Sequence, residues 1–514
     1  MVNYLAAMKN YACSLALRRL LCVSSFLFLL LISPKNISAQ KVFDFNAQCQ
    51  QAYKEIIKLK LDNGKKIIDA EKLQHPNNLI PYFLENYIDF FILFFNEDPS
   101  EFKAREINLE KRIELMNEGP ESSPFFLFTK SIIHFQWAAV KIKFGNNWNA
   151  GWEFRRSFLL SKENQKKFPA FAPNDMLYGS MQVAAGTIPD GYKWLSNLLG
   201  IRGSLKTGMQ QLEKFLSAND EWALLYRDEA IFYYLYLKFY IENKKDEVFK
   251  FITQKNIDVK NNHLFTYLAA NLGINNQQSA YAITVLSQKN NDAGYLNMPV
   301  WNMEMGYAKL NHLEPDAAIY LNKFVETFKG KFYVKDVLQK LSWFYYLQND
   351  QKRANTIRKL ILQKGSAETE AEKQAQKEAL SDVWPNKILL KARLLNDGGY
   401  HTEALQILQG KAFSDFLLPE EKLEFAYRIA RIYDDLGRKD EAISNYLTTM
   451  KLGENRKEYF AARSALQIGY IYEERNDKPK AITYFQKCID FSNHDYKNSL
   501  DQKAKAGIAR CTNE

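Results

Sequence analysis

Residues 200–207, with the sequence GIRGSLKT, contain glycines and a lysine from which a phosphate-binding loop could be built. Such a loop needs a glycine directly before the lysine, so that backbone amides and the ammonium group converge on the phosphate. Leu205 occupies that place before Lys206, and no strand pattern precedes the segment. We therefore predict that Gly200 and Gly203 belong to a turn between helices.

Side chains that bind metals or act as nucleophiles are scattered along the chain. No histidine has a His or Cys partner three or four residues further on, as a helical zinc site would require. No G-x-S-x-G motif is present. The sequence thus predicts no catalytic, cofactor-binding or metal-binding residue. We expect the six histidines at the surface or at helix ends; they are His75, His134, His263, His312, His401 and His494.

The first 39 residues have the pattern of a secretory signal peptide. They lack acidic residues, carry Lys9, Arg18 and Arg19 before an apolar run at 20–33, and end at Ala39. The run of 14 residues is shorter than the roughly 20 that a membrane-spanning helix needs. We predict an exported protein, periplasmic or secreted, without a transmembrane span after cleavage. An uncleaved membrane anchor is the alternative.

The chain after residue 39 is mildly basic and poor in cysteine. Without the four basic residues of the signal it has 65 basic and 59 acidic residues, a net charge of +6. This is not the basic stripe of a nucleic-acid-binding protein. Three cysteines, Cys49, Cys488 and Cys511, cannot form a disulfide framework. Helices expected on either side of the turn near 491–498 would offset the last two by on the order of 15 Å, so we predict free thiols.

A helical hairpin recurs in the second half of the chain. Residues 428–450 and 466–489 each predict a helix, a short polar turn and a second helix that opens with Ala-Ile, with an aromatic residue four positions after the alanine. Where two helices cross closely only a small residue fits. The marker alanines are spaced 36, 50, 38 and 39 residues apart; they are Ala318, Ala354, Ala404, Ala442 and Ala481.

These patterns predict an all-α protein, because a single hairpin cannot bury its apolar face and must stack on its neighbours. We expect one helical-hairpin repeat superhelix, irregular over 40–255 and more regular over 256–514. The wide spacing after Ala354 contains an insertion near 365–384, which we interpret as a lengthened helix or an exposed segment. In the irregular region we predict a turn at Asn63-Gly64 and unbroken helices over 101–116 and 222–243.

The hairpin resembles the tetratricopeptide repeat, a helix–turn–helix unit of about 34 residues. The match is best in the units of Ala442 and Ala481, although the spacings exceed the standard period. The resemblance implies a groove lined by the first helices, whose mixture of arginine and aromatic residues suits a peptide or acidic segment. The alternative is that the aromatics pack between units. The residues expected in the groove are Trp343, Tyr346, Tyr427, Arg428, Arg431, Gln467 and Tyr470.

A second resemblance concerns residues 188–215 with the upstream segment ENYIDFF. Together they resemble the tetratricopeptide-repeat-39-like family, which includes a mitochondrial outer-membrane protein tied to inclusion-body clearance and has secreted bacterial relatives. For this chain the resemblance implies only a helical-repeat scaffold, since a secretory signal is incompatible with a mitochondrial role.

Three functions fit these observations. The first is an exported, non-enzymatic scaffold of the cell envelope that binds an unidentified protein or peptide partner. The second is a glycan-binding outer-surface module, which the 72 aromatic residues would suit, although its usual lipid-anchoring cysteine is missing. The third is an enzyme with an unrecognised site in the first half.

Overall fold

Helices account for nearly all regular structure in residues 40–187, 200–381 and 383–512, which the computed structural model describes. Within these ranges the one β pairing is a bridge between Val42 and Asn78. The all-α hairpin fold is thereby confirmed, while the predicted signal peptide lies outside the described residues. The first helices are α1 Ala47–Ile57, α2 Leu61–Gln74, α3 Ile80–Asn96, α4 Pro99–Arg105, α5 Asn108–Asn117, α6 Phe125–Lys143, α7 Asn147–Lys167, α8 Pro173–Gly186, α9 Leu205–Ser217, α10 Glu221–Leu225, α11 Arg227–Tyr240 and α12 Lys245–Gln254.

The later helices pair into successive hairpins. Six pairs follow one another, one extra helix lies between the third and fourth pairs, and a single helix ends the array. The pairs are α13 His263–Asn275 with α14 Ser279–Gln288, α15 Val300–Asn311 with α16 Ala317–Thr327, α17 Val334–Leu347 with α18 Gln351–Gln363, α20 Lys387–Asp397 with α21 His401–Leu408, α22 Pro419–Asp435 with α23 Lys439–Leu452, and α24 Phe460–Glu474 with α25 Lys478–Asp490. The unpaired helices are α19 Glu370–Leu380 and α26 Lys497–Thr512.

The predicted turn at Asn63-Gly64 is wrong. The chain turns at residues 58–60, and Gly64 lies inside α2. A Cβ atom at Gly64 would approach Cγ1 of Ile56 to 2.4 Å. The glycine is therefore used for close packing of α2 on α1, not for a turn.

The two helices predicted as unbroken are also wrong, because each is interrupted. A break after Arg105 separates α4 from α5, and it lets Arg105 and Arg112 converge on the buried carboxylate of Asp89. On a straight helix these two arginines would be separated by about two turns. The break between α10 and α11 falls at Tyr226, whose ring is fully buried and lies 4.8 Å from that of Tyr53.

The marker alanines lie near the start of the second helices. All five are buried, with at most 7% of their surface exposed. A sixth alanine, Ala282 of α14, is fully buried in the same position, 36 residues before Ala318. The regular array therefore includes one hairpin more than the five that carry the marker alanines.

The insertion near 365–384 is neither a lengthened helix nor an exposed segment. The chain leaves helical conformation after α18, and Thr369 then starts α19 with a capping box that includes Glu372. Glu372 and Ala375 are fully buried, and Glu378 accepts hydrogen bonds from Gln339 and Trp343 of α17. The segment is an additional packed helix.

The apolar interior extends along the chain in overlapping clusters. One large cluster runs from Phe45 to Leu394, and smaller ones follow between neighbouring units of the last repeats. Because the large cluster includes residues on both sides of position 255, no gap in apolar packing marks that position. The division of the chain at 255 stays a prediction.

The aromatic marker of the last unit shows why small residues matter at the crossings. Phe485 is fully buried between two glycines of neighbouring helices. A Cβ atom at Gly469 of α24, or at Gly507 of α26, would approach its ring carbons to 2.5 Å. The ring thus fills the space that two missing side chains leave.

We expect Gly469→Ala to lower the free energy of unfolding by about 1–3 kcal/mol, because the enclosed ring cannot move away. The higher helix propensity of alanine, about 1 kcal/mol, offsets only part of this cost. Urea unfolding measures the difference, with Ser444→Ala at an exposed position of α23 as the control. A variant as stable as the parent would show that Phe485 repacks freely.

Candidate binding groove between the first helices

A cavity of about 700 Å³ lies along the first helices of five units, and we call it the central cavity. Helices α15, α17, α20, α22 and α24 each contribute side chains to it. The turns after α11 and α13 close one side. Apart from Lys439 of α23, these hairpins line it with their first helices, so stacking of the repeats is what creates this surface. Its charged residues are Lys245, Asp336, Lys340, Asp397, Arg431, Asp434, Asp435, Lys439, Arg463 and Glu474.

The carboxylates of the central cavity already have partners. Asp336 accepts hydrogen bonds from Lys340 and from the hydroxyl of Tyr307, each at 2.6 Å. Asp435 pairs with Arg431 at 3.2 Å and also accepts a hydrogen bond from Asn396 at 2.8 Å. These acidic groups are neutralised within the protein.

Asp434 holds together two adjacent units. It receives the ammonium group of Lys439 at 2.9 Å and the hydroxyl of Tyr446 at 2.9 Å, and the side chain of Gln467 approaches it at 3.4 Å. Lys439 also pairs with Glu474 at 3.3 Å. Gln467, predicted to face the groove, therefore lines the cavity while contacting an internal carboxylate.

Two cations of the central cavity, and a third beside it, lack a carboxylate partner within the described residues. The half-buried guanidinium of Arg463 makes neither a hydrogen bond nor an ion pair, and Lys245 donates only to the backbone oxygen of Asn275 at 3.2 Å. Lys503 of α26 does not line the cavity; its side chain has an exposed surface, but surrounding protein partly desolvates its ammonium group near Arg463 and Lys245. We call Lys245, Arg463 and Lys503 the cation triad.

Burial and mutual repulsion lower the pKa values of the two lysines of the triad. Desolvation is the main cause for Lys245, and Arg431 and Arg463 add to it. Desolvation, Arg463 and Lys245 lower the pKa of Lys503 to about 8. An anion placed among the three would relieve this repulsion and favour the charged lysines.

Of the residues predicted to face the groove, Arg431, Gln467 and Tyr470 line the central cavity. The ring of Tyr470 also contacts that of Phe485, with 5.4 Å between centroids. Arg431 is committed to Asp435. Their roles in binding stay predictions.

Trp343 and Arg428 line a different cavity of about 350 Å³, which also contains Trp384 and Tyr459. The indole of Trp343 is 1% exposed and its Nε1 donates to Oε1 of Glu378 at 2.6 Å. Arg428 is buried and forms two hydrogen bonds with Glu424, at 2.7 and 3.0 Å. Internal partners thus occupy the polar groups of both residues.

Tyr346 and Tyr427 line neither cavity. Tyr346 stacks on Trp384 at 4.6 Å between ring centroids. Tyr427 is 4% exposed and its ring lies 4.9 Å from that of Phe460 in the next unit. For these two, the geometry favours the alternative that the aromatics pack between units.

The cation triad could not be recognised from the sequence. Its members are separated by up to 258 positions, and Lys245 falls in the region predicted as irregular. Lys503 lies on α26, outside the repeats that we identified. The one available signal was that Arg463 precedes Gln467 and Tyr470 by one and two helical turns.

Residues 200–207, considered above as a possible phosphate-binding loop, have a structural role at the start of α9. Ser204 caps the N-terminus of α9. A Cβ atom at Gly203 would approach the backbone oxygen of Gln182 to 2.2 Å, so only glycine fits there. Residues 200–207 thus enter a helix that packs on α8. The turn predicted at Gly200 and Gly203 is found directly before α9, and residues 188–199 of the segment that carries the second resemblance lie outside the described residues.

Two histidines are buried: His134 corrects the expectation of surface or helix-end positions, whereas His263 lies at a helix end as the first residue of α13. His134 is buried and its Nδ1 lies 2.6 Å from Glu153, which also accepts from Lys141. Burial would raise the pKa of Glu153, but these hydrogen bonds outweigh it and lower that pKa to about 2. His263 is buried against Tyr295, with ring centroids 3.7 Å apart.

Cys49, Cys488 and Cys511 are free, as predicted, and all three are buried. Burial raises the pKa of Cys49 and of Cys488 to about 12, so neither is a ready nucleophile. Across the described ranges, no group of three or more His, Cys, Asp or Glu side chains is arranged to hold a metal ion. No described helix combines the length and apolar character needed to cross a membrane.

Fold and groove together define a helical-hairpin repeat protein with a charged cavity along its first helices. Residues 423–452 and 462–495 match the family model of the tetratricopeptide repeat. These segments coincide with the last two hairpins, α22–α23 and α24–α25. This part of the chain therefore carries tetratricopeptide repeats.

Among solved structures, the crystal structure of the P58(IPK) TPR domain is similar to this chain at 14% sequence identity. The alignment covers 80% of this chain and 95% of that chain, with a TM-score of 0.22. A search of curated protein sequences gives no match.

The position of Trp343 generates a prediction about stability. We expect Trp343→Phe to lower the free energy of unfolding by about 2–4 kcal/mol, because it removes a hydrogen bond to a carboxylate and leaves a gap in the core. Tyr346→Phe is the matched control, since its hydroxyl makes no hydrogen bond among the described residues. Chemical unfolding of both variants checks the prediction, and equal effects would contradict a structural role for Trp343.

Proposed function

We propose that this protein is a non-enzymatic scaffold that holds an acidic segment of a partner protein in the central cavity. The repeats support a role in protein interaction, because this fold presents a continuous row of first helices to a bound chain. The observation that carries the proposal is the cation triad: every carboxylate discussed around the cavity has an internal partner, whereas Arg463 has none.

Electrostatic cost is the physical argument. Holding like charges together in a partly dehydrated cavity is unfavourable unless something neutralises them. Carboxylates of a bound segment would do so, and hydrogen bonds to charged groups contribute about 1.5–3 kcal/mol each. The tyrosine rings of Tyr307 and Tyr470 at the same cavity would cover the apolar part of that segment.

The location of the protein is part of the proposal. The signal pattern of residues 1–39 supports export to the cell envelope, where the partner would also be found. Kinship with secreted bacterial members of the tetratricopeptide-repeat-39-like family remains a proposal on the sequence resemblance alone. No catalytic arrangement within the described residues favours the enzyme alternative.

We predict that Arg463→Gln weakens the binding of a fluorescein-labelled peptide of alternating Glu and Ser by about 10–100-fold, the loss expected for one charged hydrogen bond. Fluorescence polarisation measures the affinity. Arg475→Gln is the control, since this arginine ends the same helix but is committed to Asp440 at 2.8 Å. Equal affinity of the two variants, or equal binding of a Gln–Ser peptide, would contradict the proposal.

The pH dependence of binding tests the triad separately. The pKa of Lys503 is lowered to about 8 from its usual 10.5, so this lysine loses its proton as the pH rises through that value. Affinity for the acidic peptide should therefore fall between about pH 7 and pH 9. Lys503→Arg should keep the affinity and abolish the fall, because arginine stays charged. A fall that persists in this variant would assign it to another group.

A further inference from the structure

A second cavity, of about 550 Å³, lies away from the cation triad, and we call it the lateral cavity. It is bounded by the end of α3, the loop before α15, and the second helices α14 and α16. Its volume is in the range of small-ligand pockets. The side chains used in the argument are Asn96, Lys289, Asn297, Trp301, Asn302 and Lys323.

Three carboxamides of the lateral cavity are left without internal partners. The side chains of Asn96, Asn297 and Asn302 make no hydrogen bond within the described residues, and Oδ1 of Asn96 is buried without one. Each carboxamide both donates and accepts. Unpartnered carboxamides around a half-open cleft are suited to a ligand with several hydroxyl groups.

An aromatic wall faces these amides. Trp301 is half-buried, and its ring is supported from one side by His263 at 5.4 Å between centroids, in an edge-to-face arrangement. Tyr320 contributes a second ring to the lining, together with Met305. Flat aromatic faces beside amide groups match a pyranose ring, which has an apolar C–H face and a rim of hydroxyls.

The charge of the lateral cavity is positive. Among the described residues that line the cavity, Asp98 is the one carboxylate, and it pairs with Lys329 at 2.6 Å. Lys289 and Lys323 have no carboxylate within ion-pair distance among the described residues. Lys289 donates to Oδ1 of Asn291 and lies 5.7 Å from the ring centroid of Trp301, so its ammonium group stands beside the ring that would receive the sugar. An anionic group on the ligand would therefore be favoured.

Phosphate is a weaker candidate for that anionic group. Helix α15 starts at the cavity, but its first amides are already used: Trp301 donates to the backbone oxygen of Met298 at 3.2 Å, and Asn302 to that of Pro299 at 3.0 Å. A phosphate site at a helix start needs these amides free. A carboxylate between two lysines needs no such cradle.

We propose that the lateral cavity binds an acidic saccharide, a uronic-acid oligosaccharide whose ring packs on Trp301, whose hydroxyls bond to the three carboxamides, and whose carboxylate lies between Lys289 and Lys323. This site is separate from the central cavity and does not depend on the acidic-segment proposal.

Titration calorimetry of the full chain with trigalacturonic acid, and with glucuronate and mannuronate trimers, tests the proposal. At least one acidic trimer should bind, and a neutral galactose trimer should bind at least fivefold more weakly. Lys323→Gln and Asn302→Ala should each weaken binding about tenfold. Lys359→Gln, at an exposed position of α18, is the control, and Arg463→Gln should leave sugar binding unchanged.

Several results would overturn the proposal. Absence of binding for all three acidic trimers would do so, and so would affinities that Lys323→Gln and Asn302→Ala leave unchanged. Adenosine monophosphate or triglutamate binding more tightly than the trimers would assign the cavity to a nucleotide or to a peptide.

Discussion

The close approach of paired helices is the constraint on which the rest of this structure depends. Each of the six later hairpins has a buried alanine near the start of its second helix, and in the last of them Gly469 also receives the ring of Phe485. If this contact were wider, the second helices would shift and the first helices would no longer share one face. The central cavity exists because the crossing distance is repeated from unit to unit.

A repeated geometry brings together residues that are remote in the chain. Lys245, Arg463 and Lys503 come from three different parts of the sequence, yet Arg463 helps to lower the pKa of both lysines, and Lys245 helps to lower that of Lys503. Their carboxylate neighbours are committed elsewhere, Asp434 to a contact between units and Asp435 to Arg431. The same ion pairs that fix the repeats therefore leave Arg463 and Lys245 without a carboxylate partner where the first helices meet.

The sequence was sufficient for the fold class and for the crossings, because alanine spacing reports directly on which residues must be small. The sequence prediction failed where one residue type can serve two structural roles. Gly64 packs inside a helix and does not form a turn. Tyr226 interrupts a helix that the apolar periodicity predicted as unbroken. Local patterns do not record which distant side chain fills a site. For that reason Arg431, Gln467 and Tyr470 were placed at a cavity, whereas the unpaired Arg463 between them was missed.

Burial alone does not distinguish a binding residue from a structural one. What distinguishes them is whether the polar group already has a hydrogen-bond partner within the protein. Trp343 and Arg428 are residue types suited to recognition, but their polar groups already form hydrogen bonds within the protein. The indole of Trp343 donates to Glu378, and the guanidinium of Arg428 donates to Glu424. A ligand would have to replace those bonds and would gain little. Arg463 offers bonds that nothing in the described chain uses, so an incoming carboxylate gains the full interaction. Under the proposed function, the specificity of the central cavity would reside in its unsatisfied cations, and the paired residues around them would hold those cations in place.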